Sequence, residues 1–306
     1  MPLVAKPYAK PPKTLNALLR HLRAKGLSTR GQTAKAHQAL SFIGYHRLLI
    51  YMRPLQDVAT KRFHPNVTFD DILALYDFDR KLRLLCLDAI ERIEVAFRAA
   101  ISNTLANDKT CGPHFYLESI HFEEMKTQRD FLKNVIGLRE SDLAVKHYYQ
   151  SYNTPSLPPI WVILEQLSIG QLSRLLAGLH EDHRKSIAAC FGYDETVITS
   201  WLKSITLLRN LCAHHSRVWN ASITSDTPKY AKAIAVEFPP QADRGRLFCR
   251  AVAIQALMRE IDPSADWKDR FKALMASLPT ATLTRAGMNS GVLGLVPNWE
   301  TRPFWS

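Results

Sequence analysis

The chain has 306 residues, 46% of them apolar and 22% charged, a balance that supports one or two globular domains and excludes wholesale disorder. No apolar run reaches the ~18 residues of a membrane span, and the basic start MPLVAKPYAKPPK lacks the apolar stretch of a secretory signal, so cytoplasmic residence is expected. Forty Lys and Arg against 28 Asp and Glu give a net charge of +12. Nearly all of the excess falls in residues 1–62, where Asp57 is the one acid. Such a segment suits a polyanion, nucleic acid rather than lipid, or else forms a solvated face.

The predicted elements are helical nearly throughout. Residues 14–25 read as a helix with Thr14 as N-cap and Gly26 as its stop. Two short helices follow within 31–52 and end before Pro54. The longest periodic segment is 69–106, with Ile90, Ile93, Phe97, Ile101 and Leu105 at helical spacing. Helices are predicted over 121–137, 160–167, 169–179 and 183–190, and another begins near Asp194 and runs through WLKSITLLRNLCAHH. Residues 221–241 are polar and proline-bearing and read as a connection; helices at 242–260 and 264–277 complete the pattern. The tail from Leu278 carries Gly, Pro and Thr and ends in the aromatics Trp299, Phe304 and Trp305. No segment alternates as a strand does, so the fold class is all-α, with short loops and antiparallel packing. Cys86, Cys111, Cys190, Cys212 and Cys249 form no CxxC, and an odd count suits buried thiols in a reducing compartment.

Two charges fall on apolar faces. On an ideal helix of ~100° per residue, Val197, Ile198, Trp201, Leu202, Ile205 and Leu208 define one arc, and Arg209 lies inside it. Glu94 lies likewise among Leu87, Ile90, Phe97 and Ile101, with Arg98 one turn on. An unpaired buried charge is costly, so Glu94 and Arg209 are a candidate pair between two core helices. That pair either fixes register or supports a site. Beside it, Arg209-Asn210-Leu211-Cys212-Ala213-His214-His215 gathers arginine, asparagine and two histidines. Arg209 and His214 are ~140° apart on a helix, and they meet in one site only if the helix ends near Cys212 or a second chain brings its copy. The set suits RNA cleavage by transesterification. A histidine acts on the ribose 2′-hydroxyl or the leaving oxygen, arginine stabilises charge at phosphorus, and Asn210 orients the phosphate or a base. The 2′-hydroxyl is the nucleophile, so no metal or other cofactor is expected. Zinc at Cys212, His214 and His215 is the weaker reading, because adjacent histidines bite one tetrahedral ion poorly.

RNLCAHHSRVWN (209–220) resembles the signature of the Abi-like (AbiD/AbiF) abortive-infection family, and its R-x4-H element resembles the motif of the HEPN superfamily. HLRAKGLSTR (21–30), ALSFIGYHRLLIYMRPL (39–55), ALYDFDRKLRLLCLDAIERIEVAFR (74–98), PPIWVILEQLSIGQLSRLL (158–176) and SWLKSITLLRN (200–210) occur in the family's order. The resemblance implies a HEPN-type helical core over 63–220, with 1–62 a basic helical region and 221–306 a helical extension. It implies a dimeric, metal-independent endoribonuclease that leaves 2′,3′-cyclic phosphate and 5′-hydroxyl ends and acts in phage defence as a toxin. Similar proteins associate with a small structured RNA. Carried over by position, Arg209 and His214 are the catalytic pair, Asn210 is the polar residue between them, and His215 meets the looser spacing. Glu94 and Arg98 support the pair. The candidate RNA contacts are Arg20, Arg23, Lys25, Arg30, Lys35 and Arg47 from the basic segment, and Arg83 from the family's FDR pattern. A non-catalytic RNA-binding protein is the competing reading. Phosphoryl transfer to protein is set aside, since the chain has no P-loop. Trp219 and Tyr51 are expected to pack rather than stack on bases, and His37, His46, His64 and His147 to be surface or cap residues.

Overall fold

The computed structural model describes residues 11–138 and 142–306, so Lys6 and Lys10 of the basic segment lie outside the described residues. Among the described residues thirteen α-helices follow one another: α1 (Leu15–Ala24), α2 (Thr33–Phe42), α3 (Tyr45–Met52), α4 (Phe69–Ile101), α5 (Met125–Ile136), α6 (Leu143–Ser151), α7 (Ile160–Gln166), α8 (Ile169–Gly178), α9 (Glu181–Ala189), α10 (Glu195–Ala213), α11 (Leu247–Ile261), α12 (Trp267–Ala276) and α13 (Thr280–Arg285). Among the described residues there is no strand beyond isolated bridges, and no helix is long and apolar enough to cross a membrane. The all-α expectation holds. Two helices went unforeseen. Helix α6 lies in a polar stretch whose N-cap, Asp142, accepts from the amides of Ala144 and Val145. Helix α13 lies in the tail that composition alone marked as irregular.

The described residues within Met1–Arg80 and Ser277–Gly291 form one compact unit, and those within Lys81–Ala276 and Val292–Ser306 form another. Helix α4 contributes its first turns to one and the remainder to the other. These units are set by packing, whereas the expected limits at 62 and 220 were drawn from charge and motif.

In the first unit, the Thr14 hydroxyl caps α1 by accepting from Ala17 N at 3.3 Å. Gly26 ends the helix at φ +92°, a conformation that favours glycine. Tyr51, fully buried, donates to Asp79 at 2.7 Å and ties α3 to α4. The tail enters through Asp71, which is buried and accepts from Thr282 at 2.5 Å and Arg285 at 2.8 Å. It also accepts from the Thr68 amide at 2.8 Å and hydroxyl at 2.9 Å. Burial alone would push the Asp71 carboxyl up, but the hydrogen bonds from Arg285, Thr282 and Thr68 hold it below its ordinary value.

In the second unit, α11 is buried from Leu247 to Met258, as an apolar all-round helix must be. The terminal aromatics close over it. Trp305 stacks on Phe248 and on Phe271, each at 5.5 Å, and Trp267 donates to Leu85 O at 2.9 Å. Much of the chain from 221 to 276 and from 292 to 306 therefore completes this core. Arg250, fully buried on α11, donates to the carbonyls of Ile223 (3.2 Å) and Ser225 (2.9 Å) and anchors the connection after the RNLCAHHSRVWN stretch. Burial lowers its pKa to about 10. Gly178 allows α8 to meet α5, since a Cβ there would lie 2.0 Å from Thr127 Cγ2.

Candidate active site

Helix α10 begins at Asp194, whose carboxylate accepts from Thr196 N at 2.9 Å and Thr196 Oγ1 at 2.7 Å. Its apolar arc is buried as expected: Val197, Ile198, Trp201, Leu202, Ile205 and Leu208 all face the core. That stripe seats α10 against α8, α9 and α11. Trp201 also donates to Lys229 O at 2.8 Å, pinning the polar connection to the helix. The helix is thus held along its length before it reaches the polar residues at its end.

The end itself is specific. Helix α10 stops at Ala213. His214 N donates to Asn210 O at 3.0 Å, His215 N to Cys212 O at 3.0 Å and Ser216 N to Leu211 O at 2.8 Å. The last two bonds are those of a Schellman closure. His215 occupies its left-handed position at φ +57°, where glycine is usual. Arg209 is half-buried, and Asn210, His214 and His215 are exposed. On α10, Arg209 and His214 are about 7.5 Å apart along the axis and ~140° around it. His214 N still donates to Asn210 O and so keeps the helical register, and the chain leaves the helix only at His215.

The expected Glu94–Arg209 pair does not form. Glu94 is paired with Arg98 at 2.5 Å, both side chains 17% exposed. Arg98 also donates to Leu167 O at 2.9 Å and reaches Glu165 at 3.5 Å. An i,i+4 partner on the same helix is available without any tertiary coincidence, and Arg98 takes the carboxylate that Arg209 was expected to share. The Glu94–Arg98 pair ties α4 to the junction between α7 and α8. Among the described residues, the side chains of Arg209, Asn210 and His214 make no hydrogen bond or ion pair. The rest of the stretch is structural. Val218 and Trp219 are buried, and Asn220 Oδ1 accepts from Arg246 at 3.2 Å.

The basic residues divide. Arg83 is 5% exposed, so its expected contact with RNA is corrected: a buried guanidinium does not reach a phosphate outside. Arg23 is exposed but donates to Thr29 at 2.6 Å and Thr33 at 2.8 Å. Lys35 pairs with Asp70 at 2.5 Å. Arg47 is half-buried and has a partner. Arg20 and Arg30 are exposed and Lys25 is half-buried, and among the described residues their side chains carry no hydrogen bond or ion pair. Their field is felt locally. Burial, then Lys13 and Lys25, hold the His21 imidazole below its ordinary value. A cleft of about 520 Å³ in the same unit is lined by Lys25, Arg53, Lys61 and Tyr45; Arg53 and Lys61 were not foreseen.

The sequence profile of the Abi-like protein family matches residues 38–220, about three-fifths of the chain. The chain belongs to the Abi-like family. Membership places this Abi-like protein among the abortive-infection proteins of phage defence. The matched span takes in α10 and its polar end, and stops at Asn220. No curated protein and no solved structure matches the chain.

One group of side chains was missed entirely. Cys111, His121 and His183 converge, although nothing in their spacing of 10 and 62 residues marks them. The group expected as the weaker zinc reading does not gather: Cys212 is buried in the core while His214 and His215 face outward.

Proposed function

We propose that this Abi-like protein is a HEPN-type endoribonuclease that cleaves RNA by attack of a ribose 2′-hydroxyl, in a site completed by a second copy of the chain. The observation that carries this reading is the end of α10. Three side chains suited to the chemistry, Arg209, Asn210 and His214, stand on a rigid helix terminus without internal partners. Polar groups with no structural employment, held by a packed scaffold, are what a site requires. His214, in the R-x4-H register, is the proton-transfer residue. Arg209 stabilises the developing charge on the phosphoryl oxygens, and Asn210 orients the phosphate. A two-fold copy supplies the second Arg209 and His214, so that one cleft draws on both chains. The 2′-hydroxyl supplies the nucleophile, and the products carry 2′,3′-cyclic phosphate and 5′-hydroxyl ends.

A second reading, an RNA-holding protein that does not cleave, draws on the unpartnered Arg20, Lys25 and Arg30 and the basic cleft beside them. One experiment separates the two. The chain, freed of nucleic acid, is incubated with end-labelled single-stranded and structured RNA, with and without EDTA, beside Arg209→Ala and His214→Ala. Cleavage to cyclic-phosphate ends by the wild type alone supports the nuclease. Salt-sensitive binding with no cleavage under either condition supports the holding protein.

A further inference from the structure

Cys111, His121 and His183 bring their donor atoms together at a place the proposed chemistry does not use. Cys111 lies in the turn after α4, His121 in the 3-10 turn Ser119–His121 and His183 in the first turn of α9. His121 Nδ1 is 3.0 Å from His183 Nε2. Cys111 Sγ is 3.8 Å from His121 Nδ1 and 3.9 Å from His183 Nε2. A tetrahedral ion with Zn–N near 2.05 Å and Zn–S near 2.3 Å sets its donors about 3.3 Å apart for N···N and about 3.6 Å apart for S···N. All three separations match those edges to within a few tenths of an ångström. Without an ion the two rings share a hydrogen bond at 3.0 Å, and Cys111 Sγ is also 3.9 Å from His183 Nδ1.

The scaffold places these donors in advance. His180 N donates to His121 O at 2.9 Å, and Glu123 N to Gly178 O at 3.0 Å. The main chains that carry His121 and His183 are therefore knitted side by side. Asp108 Oδ1 accepts from Thr110 N at 2.7 Å and Cys111 N at 3.2 Å, closing the turn that presents the thiol. His121 is 6% exposed, its Nε2 is buried without a hydrogen-bond partner, and its ring meets Phe115 edge-on at 5.9 Å.

We propose that Cys111, His121 and His183 form a zinc site, with a water molecule as the fourth ligand. Cys111 and His183 are half-buried, which leaves the site open to solvent. On binding, the Cys111 S–H bond breaks, its proton goes to solvent and the thiolate takes the ion. The ion then clamps the turn after α4, the 119–121 turn and α9 together.

The test uses the full chain without a polyhistidine tag, stripped by a chelator and titrated with Zn2+ or Co2+. One equivalent is expected to bind saturably and to raise the melting temperature, with a sulfur-to-cobalt charge-transfer band in the Co2+ form. Cys111→Ser is expected to abolish the band. His183→Ala is expected to weaken binding by more than the roughly 10–100-fold typical of outer-shell changes. His214→Ala is expected to leave both unchanged, which keeps this site distinct from the proposed nuclease. The wild type supplies a further reading that needs no variant to fold. Zn2+ is expected to protect Cys111 from alkylation while the exposed Cys190 stays reactive. Absence of saturable uptake, a cobalt spectrum indifferent to Cys111→Ser, or Cys111 alkylation unchanged by Zn2+ overturns the proposal.

Discussion

Replacing His215 by glycine separates the two histidines of the motif and does so with a gain in stability. His215 sits at φ +57° in the closing turn of α10. The left-handed region costs an L-residue about 1–2 kcal/mol. Glycine removes that cost and adds about 0.5–1 kcal/mol of unfolded-chain entropy. The net expectation is a stabilisation of about 0.5–1 kcal/mol, reduced by whatever the polar or ring contact of His215 contributes. In a unit of this size that is a rise in melting temperature of about 1–4 °C, read by thermal denaturation followed by circular dichroism. RNA cleavage by the same preparation is expected to continue, because His214 keeps its place at the helix end. His214→Ala, which touches no strained angle, is expected to leave the melting temperature unchanged and to lower the cleavage rate by about 10²–10⁴-fold. A stabilised His215→Gly that no longer cleaves would refute the assignment of proton transfer to His214. A lowered melting temperature would refute the account of the turn.

Acid should weaken the unit that contains Asp71. Its folded pKa lies below its unfolded value, so its stabilisation is complete above the unfolded value, near pH 4, and is lost as pH falls through the folded one; Asp71→Asn is expected to cost about 2–3 kcal/mol at pH 7 and to flatten unfolding curves below pH 4. Gly178→Ala forces a Cβ onto Thr127 and is expected to cost about 1–3 kcal/mol in denaturant unfolding, with most of it regained in the double variant with Thr127→Ala. Arg20→Ala and Arg30→Ala are each expected to reduce the salt slope of RNA binding by about 0.7 while the cleavage rate at saturating RNA stays the same; a change in rate without a change in slope would contradict a phosphate-binding role.

The helices were legible where one periodicity governed them. The α1 cap at Thr14 follows from residue type, and the stripe of α10 and most of the run 69–106 follow from spacing, because burial of one face decides them; that run is α-helical to Ile101 and a π-turn over Ser102–Ala106. Helix α13 escaped because its reason lies far away in sequence. Thr282 and Arg285 are ordered by Asp71, more than 200 residues earlier, and no local pattern encodes that. The fate of Glu94 escaped for a related reason. A helical wheel placed both Glu94 and Arg209 on apolar arcs, yet it does not choose between a partner four residues on and one on another helix. Arg98 is closer. The Cys111–His121–His183 group is the extreme case, since three separate turns must fold before any of its distances exist.

The lost Glu94–Arg209 pair strengthens the functional reading of α10. Had Glu94 held Arg209, the guanidinium would have had structural work and its place in the sequence a structural reason. Instead Glu94 and Arg98 satisfy each other and fix the α7–α8 junction, and Arg209 stays half-buried with no acceptor among the described residues. A guanidinium carries five donors, and those of Arg209 are left to solvent or to an external acceptor. The same helix end carries a conformational cost in the left-handed His215. Backbone strain and an unpaired guanidinium within seven residues of one terminus fit a site for an external anion. Under the proposed function, RNA phosphate met by Arg209 from each of two chains would be that anion.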